Sequence, residues 1–491
     1  MATCTRRTNL SLTPLLLLGL ALATTNACSD EDDDGTVDGR GGSAGAGRGG
    51  SGGTTTGGGG GATTGGATTG GATTGGAAAG GAAAGTSGEE AGAGGTSGAG
   101  AAGGAEATAG QGGEGGTPGG GVDVDEFRPE EIEPTPQLVE QLELPAGFSV
   151  ATFATGLGHA RMLAVRGEYI YVTRPRQGDV IVLTDADEDG TAEPFRTATS
   201  DLPFVHGITF DADNVYLATD TRVYRAPVAA NGLFGALVEL TTSPLPSGGQ
   251  HPYRTIEISP DDRLFISVGS SCNACEESDP EHATMLSMPL TGGERSVFAR
   301  GLRNTIGFGW HPLTEELWGL DHGSDYRGND LPPEELNLID TTGTAHYGWP
   351  YCYAKRLVDV SPSIQDPEGT TKAEFCATTR PSTLEFQAHS APIQMAFYAG
   401  EMFPAEYAND AFVALRGSWN RFPPTGYGVA RLDFDEDGTP VALEPFVSGF
   451  LIDNGTAQFG RPAGVAVAPD GGLLFSDDTR GILYRVEYTA P

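Results

Sequence analysis

The chain has 491 residues, 76 of them glycine, and a formal net charge of −36 at pH 7. So acidic a surface repels nucleic acid and argues against it as a partner. We expect only part of the chain to fold, because low-complexity sequence fills most of its first quarter.

Residues 1–28 are predicted to form an export signal. Arg6 and Arg7 precede an apolar run over 15–23 that is too short to span a bilayer as a stable helix. Cys28 follows small residues, as in a bacterial lipoprotein signal, so we expect a lipid on Cys28; simple cleavage nearby is the alternative, and twin-arginine export is a weaker one. The sequence thus predicts an exported protein of the cell envelope that meets a membrane only through its lipid anchor.

Residues 29–137 are predicted to be a disordered tether rich in Gly, Ala and Thr. Repeats such as "TTGGATTGGATTGG" offer almost no large apolar side chain, so ordering them would cost more entropy than burial returns. An acidic, Pro-rich linker closes the tether. No transmembrane helix is expected after it.

One unit recurs six times in the remaining domain, residues 138–491. Each copy is a short alternating strand, a turn with Asp or Pro, and further β-rich strands. The copies begin near Arg161, His206, Arg254, Ile306, Asp410 and Ala463, with "IQMAFY" as the first strand of the fifth. Such repeats, without helical periodicity, predict an all-β, six-bladed β-propeller. The stretch 325–392 exceeds a blade loop and is expected to be an insertion over one face.

Four cysteines fall in the domain, and an oxidising compartment favours pairing them. We predict one disulfide between Cys272 and Cys275 and a second between Cys352 and Cys376. A zinc site made from the same four residues is the alternative, although no second CxxC or spaced His pair accompanies them.

Basic and imidazole side chains stand before the strands that should line the propeller channel. First strands of all blades begin around the channel, so the residues before them meet at one mouth. A cationic cluster in an acidic protein favours an anionic, hydrogen-bonding ligand. These residues are His206, His251, Arg254, Arg303, Asn304 and Arg461.

The motifs "HPYRTIEISPDDRLFISVG", "GLRNTIGF", "EELNLID", "AHYGWPYC", "FVALRGSWNR" and "GRPAGVAVAPDGGLLFSDD" carry a resemblance. Across 142–486 the domain resembles the soluble pyrroloquinoline quinone-dependent sugar dehydrogenases, a group that includes sorbosone dehydrogenase-like proteins. The resemblance implies that His251 is the general base for hydride transfer from the substrate to the quinone. It also implies that Gln250, Arg303, Asn304 and Arg461 contact this cofactor.

Two further parts of the site follow from the resemblance. Arg421, or else Arg416, is the expected basic residue of the fifth blade, while Ala463 stands where the family has another arginine. Calcium next to the quinone is expected on the backbone carbonyls of Gly323 and Ser324. Glu335 and Tyr347 match positions that bind further calcium in some members.

The predicted function is therefore oxidation of a small sugar, alcohol or aldehyde with pyrroloquinoline quinone and calcium. The electron acceptor is not indicated. Two alternatives stay open: a non-catalytic binding propeller that has lost the cofactor, and a calcium-dependent lactonase-type hydrolase. Hairpin turns and calcium loops are both compatible with "DADEDG" at 185–190 and "DFDEDG" at 433–438. His389, Trp349 and Trp419 fit either substrate contact or structural packing.

Overall fold

The computed structural model describes residues 126–490, apart from residues 248 and 341. The predicted export signal, the predicted lipid site at Cys28 and most of the predicted tether lie outside the described residues. No helix within them is long and apolar enough to cross a membrane.

A short N-terminal segment precedes the repeated sheets and packs against them. It contains strand β1 (Glu130–Glu131), helix α1 (Pro136–Val139) and strand β2 (Phe148–Ala154). The side chain of Thr135 caps α1 by accepting a hydrogen bond from the backbone N–H of Leu138. The packed part of the chain thus begins before residue 138, where the sequence placed the end of the tether.

Three four-stranded antiparallel sheets follow in chain order. The first contains β3 (Leu163–Arg166), β4 (Tyr169–Arg174), β5 (Asp179–Leu183) and β6 (Arg196–Thr199). The second contains β7 (Gly207–Phe210), β8 (Asn214–Ala218), β9 (Val223–Pro227) and β10 (Val238–Glu239). The third contains β11 (Ile256–Ile258), β12 (Arg263–Val268), β13 (Thr284–Pro289) and β14 (Ser296–Arg300).

The fourth sheet corrects one expectation from the sequence. Its strands are β15 (Thr305–Trp310), β16 (Leu317–Asp321), β17 (Glu334–Ile339) and, after a long excursion, β20 (Leu384–Phe386). The excursion carries the hairpin β18 (Cys352–Tyr353) and β19 (Leu357–Val358) and the helix α2 (Lys372–Cys376). Residues 325–392 are therefore not all insertion, because β17 and β20 complete the blade.

Two more four-stranded sheets complete the described chain. The fifth contains β21 (Pro392–Phe397), β22 (Ala411–Leu415), β23 (Gly428–Phe434) and β24 (Pro440–Val447), with a 3-10 helix over Ala405–Tyr407. A small hairpin follows, made of β25 (Leu451–Ile452), a 3-10 turn over Asp453–Gly455 and β26 (Ala457–Gln458). The sixth contains β27 (Pro462–Val467), β28 (Leu473–Asp477), β29 (Ile482–Tyr488) and the N-terminal β2.

The first strands of the sheets contact one another in a ring. β3 touches β7, β7 touches β11, β15 touches β21, β21 touches β27, and β27 touches β3; the third sheet meets β15 through β12. Alternate side chains of each strand fill the spaces on its two sides. On β4, Ile170 and Val172 pack with Leu474 of the sixth sheet, while Tyr171 packs with Leu217 of the second. The predicted all-β propeller architecture is confirmed.

Both predicted disulfides are present. Cys272 is bonded to Cys275 and Cys352 to Cys376. The first closes a small loop after β12, and the second joins the β18–β19 hairpin to α2, which fixes the excursion of the fourth sheet.

Candidate active site

The candidate site lies at the end of the ring where the first strands begin. The second strand of each sheet is antiparallel to the first, so the residues that follow the second strand reach the same end. Burial is the main cause of the lowered pKa of His251 and of His322. The charges of Arg303 and Arg254 lower the pKa of His251 further, and those of Arg303 and Arg161 lower that of His322. Of the residues predicted to meet at one mouth, His251, Arg254 and Arg303 therefore lie near one another in the third and fourth blades.

Arg303 precedes β15, and its guanidinium is held by the small disulfide loop. Nε donates to the backbone carbonyl of Asn273 at 2.8 Å, and Nη2 donates to Asn273 Oδ1 at 2.9 Å. Nη2 also contacts Asp325 Oδ2 at 3.0 Å. Asn273 lies between Cys272 and Cys275, so the disulfide constrains the two oxygens that orient the arginine.

Asn304 is held by its backbone and leaves its side chain available. Its N–H donates to Asp321 Oδ1 at 2.7 Å, but in the described chain its side-chain amide makes no hydrogen bond. The amide lies beside His251, with Gly269 between them. A Cβ on Gly269 would come within 2.6 Å of Asn304 Oδ1 and 2.5 Å of His251 Cβ. Only glycine at that position lets the two side chains share one space.

His251 is fixed in one neutral tautomer. Its Nδ1 lies 2.9 Å from the carbonyl oxygen of Ser270 and 3.0 Å from Ser270 Oγ, whose own proton is donated to the carbonyl of Cys272. Both oxygens can therefore only accept, so Nδ1 carries the proton and Nε2 has a free lone pair. Burial, followed by the charge of Arg303, lowers the pKa of His251 well below its usual 6.5. The ring is neutral at physiological pH.

His322 is a second histidine of the site, which the sequence analysis did not identify. Its Nε2 donates to the backbone carbonyl of Pro392, at the start of β21. Burial is the main reason that its pKa falls to about 4. The signal was available in "DHGSDY", where His322 stands directly before the two predicted calcium carbonyls.

The four residues predicted to bind calcium line one cavity with Arg303. The cavity is small, and Gly323, Ser324, Glu335 and Tyr347 are among its walls. Neither the Gly323 nor the Ser324 carbonyl accepts a hydrogen bond from any described residue. Free carbonyl oxygens in a polar cavity are ligands that calcium accepts.

Buried carboxyl groups surround this cavity and have raised pKa values. Burial raises the pKa of Asp321 to about 6 and that of Glu334 to about 7. Burial and repulsion from Asp321, its cross-strand partner, raise the pKa of Glu335 to about 8. A cation bound among these groups would favour their ionised forms. Tyr347 differs, because its hydroxyl donates to the Leu338 carbonyl at 2.8 Å.

A second group of cations surrounds Asp478, which follows β28. Arg161 Nη1 bonds its Oδ2, Arg416 Nε lies 2.9 Å from the same oxygen, and His159 Nε2 lies 3.8 Å away. The opposing charges of Arg416 and Arg161 hold the pKa of Asp478 below its usual range in spite of its burial. Arg461 lies alongside: its Nε donates to the Arg416 carbonyl at 3.2 Å.

Arg421 and Gln250, two residues predicted to contact the cofactor, do not bond Arg303. The Arg421 guanidinium bonds the carbonyl of Asn329 and lies 2.8 Å from Asp330 Oδ1, on the loop between β16 and β17. Burial lowers the pKa of His389, and the charges of Arg421 and Arg303 lower it further. Gln250 is partly buried beside His251, and its backbone N–H donates to the Ser271 carbonyl at 3.1 Å. Neither side chain contacts Arg303 directly.

Fold and site together define a β-propeller with a cationic mouth and a neutral imidazole at its edge. A match to the TrAA12-like family covers residues 142–489, and the chain belongs to that family. The resemblance to quinone-dependent sugar dehydrogenases found in the sequence is thereby confirmed at the level of the family.

Two relatives illustrate the similarity, and only the second has a named activity. The chain is 36% identical over 240 residues to an uncharacterised protein of Borreliella burgdorferi, covering 48% of this chain and 61% of that one. It is 22% identical over 342 residues to a pyrroloquinoline quinone-dependent sugar dehydrogenase of Hypocrea jecorina, covering 60% and 76%. The matched part thus spans about three fifths of the first of these relatives.

Two solved structures share the fold. The iodide structure of a Trichoderma reesei carbohydrate-active enzyme of family AA12 superimposes with a TM-score of 0.61 at 22% identity, covering 72% of this chain and 98% of that one. The holo quinone domain of the Coprinopsis cinerea pyranose dehydrogenase gives 0.59 at 21% identity, with 73% and 98% covered.

Proposed function

We propose that this protein is an oxidoreductase that uses pyrroloquinoline quinone and calcium to oxidise a sugar or a related alcohol or aldehyde. The observation that carries the proposal is the fixed tautomer of His251 beside the unbonded side chain of Asn304. A base and a hydrogen-bonding group in one small space are what proton removal from a bound hydroxyl requires. The names of the relatives and of the fold neighbours support the same class of reaction.

The residues present fit the quinone. Its carboxylates require cations, and Arg303 still has capacity for one: Nη1 has a single contact, to the His322 carbonyl at the long distance of 3.5 Å. Arg461 extends the cationic surface toward the sixth blade, and Asn304 offers a donor and an acceptor. Ala463 is a departure from the family, since it is completely buried and supplies no charge.

The residues also fit calcium, because they offer oxygens of two kinds, backbone carbonyl and carboxylate. The carbonyls of Gly323 and Ser324 are uncommitted, and Glu335 supplies a carboxylate to the same cavity. These are hard oxygen ligands of the type that calcium prefers. When bound, the quinone with its calcium would supply the acceptor for the hydride, and so for the two electrons, that leaves the substrate carbon.

The chain's own residues perform the proton chemistry. Nε2 of His251 takes the proton of the substrate hydroxyl, while the Ser270 carbonyl keeps the imidazole in the required orientation and tautomer. The lowered pKa keeps the lone pair available below neutral pH. Arg303, held by Asn273 and Asp325, keeps the ligand's carboxylate in place during the transfer.

The test uses the purified full chain with pyrroloquinoline quinone, calcium, a panel of sugars and an artificial electron acceptor. We expect quinone binding that is lost on chelation of calcium, and sugar-dependent reduction of the acceptor. His251→Ala should bind the quinone normally and turn over at least about a hundredfold more slowly. Quinone binding without turnover would instead make the protein a binding propeller. Failure of the wild-type chain to bind quinone would refute the proposal.

A further inference from the structure

We propose that residues 126–133 form a strap that positions Arg303 and thereby sets the affinity of the mouth for its polycarboxylate ligand. The proposal deepens the proposed function and rests on it, because the ligand is taken to be the quinone. The residues of the strap precede the first blade and belong to none of the six four-stranded sheets among the described residues.

The strap is anchored by backbone hydrogen bonds at both ends. At its start, the N–H of Phe127 donates to the carbonyl of Trp419 at 2.9 Å, on the loop between β22 and β23. Farther along, the N–H of Glu130 donates to the Thr456 carbonyl at 2.9 Å, and β1 pairs in parallel with β26. It therefore joins the fifth blade to the hairpin that leads into Arg461.

Side chains of the strap cover the tips of two mouth loops. The ring of Phe127 meets that of Phe422 edge-on at 4.8 Å, and the guanidinium of Arg128 lies 5.2 Å over the ring of Trp419. Glu126 accepts a hydrogen bond at 3.1 Å from the hydroxyl of Tyr326, on the loop between β16 and β17. Edge-to-face and cation–π contacts of this kind favour a defined loop conformation.

One covered loop supplies Asp325, which contacts Arg303 together with Asn273, and the other loop holds Asp325 in turn. Asn420, between Trp419 and Phe422 of the β22–β23 loop, donates through Nδ2 to Asp325 Oδ1 at 2.7 Å. The other carboxylate oxygen of Asp325 lies 3.0 Å from Arg303 Nη2. A continuous set of contacts thus leads from the strap through Asn420 and Asp325 to the guanidinium.

Besides the strap, the two loops bond each other: Asn329 Nδ2 donates to the Phe422 carbonyl at 3.0 Å, and Arg421 Nη1 bonds the Asn329 carbonyl. Trp419 and Asn420 precede those residues and depend more on the strap, which bonds the Trp419 carbonyl and places Arg128 over its ring. The β22–β23 loop is held at its base, where Tyr427 donates to the Ser418 carbonyl at 2.6 Å and the Thr425 N–H bonds Ser418 Oγ at 3.1 Å. Removing the strap contacts would leave the tip, and with it Asn420, able to adopt other conformations. Asp325 could then rotate away from Arg303, so the ligand would have to fix the arginine on binding.

The test compares the full-length wild type with a Phe127→Ala, Arg128→Ala double variant. We expect the double variant to bind pyrroloquinoline quinone about tenfold more weakly in calcium. The KM for sugar at saturating quinone should be unchanged, because the strap acts on the cofactor contact. Phe127→Tyr, which keeps the ring, should bind as the wild type does. Arg166→Ala is the matched control and should bind the quinone as the wild type does. It removes an arginine from the last position of β3, at the end of the strand away from the mouth.

A second measurement needs no quinone. Backbone amides of 418–426 should exchange with solvent faster in the double variant than in the wild type, and those of β8 should not. Unchanged exchange, or faster exchange with unchanged quinone affinity, would overturn the strap proposal. If the wild type binds no quinone, the proposed function fails, and the exchange data still decide whether the strap orders the loop.

Discussion

The hydrogen bond between the side chains of Asn273 and Arg303 should be measurable as a coupling energy in protein unfolding. Asn273→Ala removes the oxygen that accepts from Arg303 Nη2 at 2.9 Å and from the Asp325 N–H at 2.8 Å, while the backbone bond to Arg303 Nε is kept. A hydrogen bond to a charged group contributes about 1.5–3 kcal/mol, and a neutral one about 0.5–1.5 kcal/mol. The variant also loses the hydrogen bond that Asn273 Nδ2 donates to the Asp325 carbonyl at 3.0 Å, so it should lose about 2.5–6 kcal/mol of unfolding free energy.

A double-mutant cycle isolates the contact. We would combine Asn273→Ala with Arg303→Met and measure urea unfolding of the full chain for all four proteins. The expected interaction energy is about 1.5–3 kcal/mol, because only the charged bond is shared by the two residues. Asn214→Ala, at the first residue of β8, is the control and should be additive with Arg303→Met. A coupling below about 0.5 kcal/mol would show that Asn273 does not hold the guanidinium.

Three shorter predictions concern the rest of the molecule. Replacing Cys352 and Cys376 together by serine should lower the unfolding free energy by about 3.5 kcal/mol, as chemical denaturation would show, because the disulfide joins residues 24 apart. Burial raises the pKa of Asp477 to about 7, so between about pH 4 and pH 7 this carboxyl keeps a proton in the folded protein that it loses in the unfolded protein. The unfolding free energy of the wild type should therefore fall from about pH 4 to pH 7. Asp477→Asn should flatten that fall in unfolding experiments. For His251 the pKa is lowered, so kcat/KM should stay level from about pH 8 to pH 6; a decline centred near pH 6.5 would show that its environment does not depress the pKa.

The blades were predictable because each repeats a local pattern. Alternation in "GEYIYVTR" identifies β4, and "IQMAFY" correctly gave the first strand of the fifth blade, β21. The third and fourth strands of the fourth blade were missed. β17 pairs with β20 across the excursion that contains α2, and no local pattern reports a pairing at that sequence distance.

In the candidate site, too, some residues could be predicted from the sequence and others could not. Arg303 and Asn304 stand directly before β15, and His251 lies a few residues before β11, so the strand pattern is enough to bring them to one mouth. Their partners come from loops: Asn273 is 30 residues from Arg303, and Asn420 reaches Asp325 over 95 residues. Sequence could suggest that Arg303 binds an anion, but only the fold shows which oxygens already hold it.

The cations of the mouth are partly neutralised before any ligand arrives. Asp325 forms a salt bridge with Arg303, and Asp478 forms salt bridges with both Arg161 and Arg416. These carboxylates make the burial of the arginines tolerable, since an unpaired buried charge is costly. They also weaken the attraction for a ligand with three carboxylates. The two charges of calcium at the neighbouring carbonyls would restore that attraction, so quinone affinity should depend on calcium even though four arginines occupy the mouth.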